Sequence, residues 1–140
     1  MIDKNTGQLT FGTGKTVFPI TTLSELKAIN LSAVHEEGVL GNEWIHYTVK
    51  NVLIAGKFFY LTFFFHEEIL DSVSFIFNDC EIDLTSNWDC WSEKREKENA
   101  VLYNNWLDKE IGTSRNFLWG TVWASYDPKS GGSSIGISYK

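Results

Sequence analysis

Apolar and polar positions begin to alternate at residue 44, where Ile45, Tyr47 and Val49 share one face of an extended chain and Trp44, His46 and Thr48 the other. This predicts a half-buried strand over 44–49. The run 58–65 is apolar on both faces apart from Thr62, the pattern of a central strand with the core on one side and a helix or a partner on the other. Over 72–77, Val73, Phe75 and Phe77 again point one way, so the three segments read as a meander joined through 51–57 and 66–68. Ser92 is placed to cap a helix that runs to Ile111 and stops at Gly112, with Leu102, Tyr103, Trp106 and Leu107 as its apolar stripe. That stripe is expected to cover much of the second face of 58–65.

Shorter signals flank this centre. The segments 9–11 and 16–18 around Gly12 and Gly14 read as a hairpin, and Thr21 or Thr22 caps a short helix through Lys27 carrying Leu23 and Leu26 on one face. Between residues 30 and 42 the pattern is irregular and acidic, and no element is predicted. At the C-terminal end, 119–126 and 133–139 form a closing hairpin around Asp127-Pro128, with Ile135, Ile137 and Tyr139 alternating against small polar residues. The expectation is one α+β domain over residues 1–140. Its antiparallel sheet is built from the N-terminal hairpin, the three-strand meander and the C-terminal hairpin, with one long amphipathic helix packed on a face and one short helix.

Composition alters this picture in its aromatic content and its charge. Phe, Tyr and Trp make up 15% of the chain, more than an ordinary core needs, so some are expected at a surface that binds something. The net charge of −6 disfavours nucleic acid, whose phosphates select a positive footprint, and suits either solubility or a basic partner. No apolar run reaches the roughly 20 residues that span a bilayer, and no basic-then-apolar leader opens the chain, so no membrane role and a cytoplasmic location are expected. Cys80 and Cys90 lie in no metal-ligand spacing and are expected to be free thiols, although a bridge between them stays open.

Several patterns resemble chemistry without completing it. The stretch 12–16, Gly-Thr-Gly-Lys-Thr, has the end of a phosphate-binding loop, but Leu9 stands where the first glycine belongs and Val17-Phe18-Pro19 extends where a helix should begin. Ser24-Glu25-Leu26-Lys27, Ser114-Arg115-Asn116 and Lys129-Ser130-Gly131 follow the order of three short motifs of serine β-lactamases, in a chain too short for that fold. His35, His46 and His66 have no carboxylate or Cys at a spacing that builds a metal site locally. No catalytic residue, metal or cofactor is nominated.

Binding signals are clearer. Asp79, Glu81 and Asp83 alternate with Cys80, Ile82 and Leu84, so an extended chain here displays three carboxylates on one face, either as a charged edge or as an electrostatic docking stripe. Trp88, Asp89 and Trp91 follow at once; Trp is the residue most enriched at interface hot spots, and two indoles just before a helix N-terminus equally suit anchoring that helix to the sheet. A different use of the aromatics is as stacking platforms for a small molecule or carbohydrate, for which Tyr60, Phe64 and Trp123 are the candidates.

The C-terminal half also carries a resemblance. Trp88-x-x-Trp91-Ser92-Glu93, Trp106-Leu107, Trp119-Gly120-Thr-Val-x-x-Ser125-x-Asp127-Pro-Lys-Ser-Gly131 and Ser133-Ser134-Ile135 together resemble a group of small bacterial proteins that look like immunity proteins of polymorphic toxin systems. The resemblance covers residues 86–139. It implies a non-catalytic protein that binds and blocks a toxin domain, here a basic one met by the acidic stripe.

Overall fold

The computed structural model describes residues 1–12, 14–81 and 92–140. Its elements are β1 (Leu9–Phe11), β2 (Lys15–Val17), α1 (Leu23–Ile29), β3 (His35–Gly41), β4 (Trp44–Ile54), β5 (Lys57–His66) and β6 (Ile69–Asn78), followed by α2 (Glu93–Ile111), β7 (Asn116–Phe117), β8 (Gly120–Asp127) and β9 (Gly132–Tyr139). Seven strands form one antiparallel sheet in the order β3-β4-β5-β6-β9-β8-β7, and β1 with β2 forms a separate two-stranded sheet. The architecture is α+β, with the closing hairpin joined to the meander through β6 and β9.

Strand alternation decides the layers. Phe59, Leu61, Phe63 and Phe65 of β5 share a face with Val73, Phe75 and Phe77 of β6 and with Ile135 and Ile137 of β9, and all are buried. Both helices and the N-terminal hairpin pack on that side. Phe11 meets Phe63 edge-on at 6.4 Å, Tyr103 meets Phe77 at 5.0 Å, and Trp106 lies within 6.2 Å of Phe59, Phe75 and Phe77, measured between ring centroids. Edge-on and tilted rings of this kind add attraction beyond the apolar area they remove from water.

The helix therefore corrects one expectation. Its stripe lies on the same face as the hairpin rather than on the second face of β5, and it consists of Tyr103, Trp106, Leu107 and Ile111, with Leu102 52% exposed. Spacings of i, i+4 and i+8 hold residues 103, 107 and 111 in one row, and Leu102 falls outside it. Ser92 caps the helix by accepting from Arg95 N–H at 3.0 Å, and Thr22 caps α1 by accepting from Glu25 N–H at 3.2 Å.

Two further differences have local causes. The acidic stretch in which no element is predicted holds β3, an edge strand whose residues are almost all exposed, so no apolar alternation marks it. β4 continues past Asn51 to Ile54 because a register shift between Val49 and Val52 absorbs the break in alternation. Asn42-Glu43, Ala55-Gly56 and Glu67-Glu68 all turn with positive φ, which matches the twist of two-residue hairpins.

Two phenols stiffen the packed side. Tyr139 donates from its buried hydroxyl to Gly7 C=O at 2.8 Å, and burial drives its pKa upward; Tyr103 is pushed up to about 12, by burial first, against a backbone hydrogen bond at Phe77 that lowers it. A raised phenol means that the folded state holds the proton more tightly. The associated stability is complete below the ordinary value of 10.0 and is lost as pH rises from there through about 12. Accordingly Tyr103→Phe should show a shallower fall in unfolding midpoint over that window than the parent chain, and equal slopes would contradict this assignment.

Candidate binding surface

The face of the large sheet opposite the helices carries none of the described elements. Register places Gly38, His46, Phe64, Ser72, Ser138, Thr121 and Asn116 side by side across all seven strands. A parallel row holds Glu36, Thr48, Thr62, Ser74, Gly136 and Trp123, and Tyr60 stands opposite Ile76 beside it. The surface is thus a field of hydroxyls set with aromatic rings. Tyr60 and Phe64 are half-buried and Trp123 is 43% exposed.

Local contacts hold the side chains of this surface in place. The indole of Trp123 lies across Gly136, where any Cβ would collide with it, and the His46 ring lies across Gly38 in the same way. Aromatic rings laid over cross-strand glycines protect backbone that would otherwise be bare. Thr48 and Thr62 share a hydrogen bond at 3.2 Å between their hydroxyls. Glu36 is matched by Lys50 at 3.2 Å, and the same ammonium sits 5.9 Å from the centre of the Tyr60 ring. The two rows therefore carry almost no uncompensated charge.

The acidic stretch lies at one end of the sheet. β6 ends at Asn78 and the chain bends at 79–80, so Asp79 and Glu81 do not continue the strand; both are exposed, and Asp79 takes a charged hydrogen bond from Lys57 at 2.7 Å. Asp83, Trp88, Asp89, Trp91 and Cys90 lie outside the described residues, and so does any pairing of Cys80 with Cys90. Lys57, Phe77, Asp79, Arg95, Glu96 and Tyr103 line a cleft of about 250 Å³ between the end of β6 and α2. That is below the size of most small-molecule pockets.

At the other end two hairpin turns meet. Glu67 N–H donates to Glu43 C=O at 3.1 Å, and the side chains of Glu43, His66 and Glu67 offer ligand atoms within 4.8 Å of one another. Distant pairing supplies what local spacing did not show, since residue 43 is remote in sequence from 66. Such a trio suits a divalent cation, and juxtaposed acidic turns also produce it without one. Of the other histidines, His35 stacks on Tyr47 at 5.7 Å and His46 lies over Gly38 on the face opposite the helices.

Tyr60, Phe64 and Trp123, the stacking candidates of the sequence, all stand on one face by register. What the sequence did not single out is the hydroxyl field around them. The signal was present in the alternation of Ser72 and Ser74 with Val73 and Phe75, and of Ser134, Gly136 and Ser138 with Ile135 and Ile137.

No family model matches the chain, and no curated protein matches it. Among solved structures, one described as "Rhs1-CT in complex with cognate immunity protein RhsI1" contains a similar chain, with a TM-score of 0.59 and 16% identity, over 99% of this chain and 86% of that one. The two chains share a fold. Nearly the whole of this chain takes part in the likeness, including the N-terminal half, for which no resemblance was apparent in the sequence. No helix among the described residues is long and apolar enough to cross a membrane.

Proposed function

We propose that this chain is an immunity protein, a non-catalytic cytoplasmic binder that neutralises a bacterial toxin domain by occupying it. The observation that carries the reading is the fold, shared over nearly its full length with a chain from a toxin–immunity complex. Its C-terminal Trp, Gly and turn pattern supports the same class, and so does a net charge of −6 suited to a basic partner.

In this reading Asp79 and Glu81, exposed at the end of β6, attract the partner together with Asp83 and Asp89, and Trp88 and Trp91 act as anchors. Replacing Asp79, Glu81 and Asp83 with Asn, Gln and Asn tests the electrostatic part. Exposed charges at an interface rim are each worth a fraction of a kcal/mol, so affinity for the product of the neighbouring gene should fall roughly tenfold at low salt. The difference should shrink at high salt as screening takes over, with the unfolding midpoint of the chain unchanged. Affinity that ignores both salt and substitution would remove the acidic surface from the account.

A further inference from the structure

We infer that the surface gripping the toxin is the face of the seven-stranded sheet that none of the described elements covers, and that its occupant is a folded basic protein domain presenting an uncharged contact patch. The inference rests on the immunity reading and adds where and how the partner is held.

The composition is that of an interface centre. Such centres are depleted of charge and enriched in aromatic residues, while their rims are polar. Here the central rows carry Trp123, Phe64 and Tyr60 among Thr62, Ser74 and Ser138, and the Glu36 charge is met by Lys50. Serine and threonine accommodate a partner's polar groups at little entropic cost, and aromatics supply rigid contact area, a mixture that binding loops of antibodies also use. The side chains stand on strands and are held by their neighbours, as Trp123 is by Gly136 and Thr48 by Thr62, so little ordering remains to be done on association.

Size and charge identify the occupant. Seven strands, averaging eight residues of about 3.3 Å rise and separated by six gaps of about 4.8 Å, present roughly 750 Å². A specific protein–protein interface buries about 800 Å² on each partner. Acids mark the ends of the face, with Glu81 and Asp127 at one, beside an Asp79 matched by Lys57, and Glu43, Glu67 and Glu68 at the other. They favour a partner whose contact patch is bordered by basic groups and disfavour nucleic acid. They also disfavour a second copy of this chain, because each copy brings its own −6.

The experiment uses the full chain with the purified product of the neighbouring gene as the probe, measured by calorimetry. Ser74→Arg places bulk and charge at the middle of the face, Trp123→Ala removes its most exposed ring, and Val101→Arg changes an exposed position of α2. Ser74→Arg should weaken binding by roughly 100-fold and Trp123→Ala by roughly tenfold or more, in the range of buried interface anchors, with Val101→Arg unchanged. If Ser74→Arg alters the fold by circular dichroism, Trp123→Ala decides. Tight binding by the parent chain that persists within threefold in both face variants overturns the inference and leaves the immunity reading standing. A parent chain that does not bind the probe overturns the immunity reading itself. Trp123-dependent fluorescence quenching by a sugar panel, or self-association lost in Trp123→Ala, assigns the face to a carbohydrate or to a second copy, and either result overturns the inference.

Discussion

Phe63→Ala is expected to remove about 3–5 kcal/mol of folding free energy, as full truncation of a buried aromatic does. Phe63 has no exposed surface, lies between Tyr47 of β4 and Val73 of β6 in register, and meets Phe11 of the N-terminal hairpin edge-on. Truncation would leave a cavity where the hairpin docks onto the middle of the sheet, and strands on both sides hold the backbone too firmly to close it. Domains of this size are stable by about 5–15 kcal/mol, so the loss is a large share of the total. Phe64→Ala, one residue along and on the open face, should cost clearly less because that ring is only half-buried. Denaturant midpoints for the two variants check this, and a loss below about 1 kcal/mol for Phe63→Ala would mean that the inward and outward faces of β5 have been exchanged.

That contrast between neighbours is also where the sequence stops being informative. The alternation in 44–49 and 72–77, the turn at Asp127-Pro128, and the caps Thr22 and Ser92 are local signals, and the strands and helices they predict are present. β3 was hidden because an edge strand buries almost nothing, and Glu36 and Glu37 serve there as solvated partners of Lys50 and Lys27. The apolar run of β5 told that both faces are hydrophobic, but not which side the helix takes. That depends on β9 pairing with β6, a contact across more than fifty residues that leaves no periodic trace.

The same limit applies to the binding surface. Tyr60, Phe64 and Trp123 were recognisable as aromatics in excess of a core, yet their common plane exists only once β5, β6, β9 and β8 are set side by side. Ser74 and Gly136 sit between core residues in sequence, and Gly136 makes room for the indole of Trp123. The aromatic excess is therefore divided between the two faces, with one share packing the core and the other on the face that no described element covers.

The central claim is that this chain holds a toxin domain in check, and its expected effect is the difference between growth and death. Occupation of the toxin by a stoichiometric amount of this chain should leave too little free toxin to stop growth. The most direct measurement is viability of cells expressing the product of the neighbouring gene, with and without this chain. The account predicts that the product alone arrests growth, that co-expression restores it, and that the two proteins purify together in equal amounts. Growth arrest caused by this chain expressed alone, or arrest by the neighbouring product that this chain fails to relieve, would contradict it.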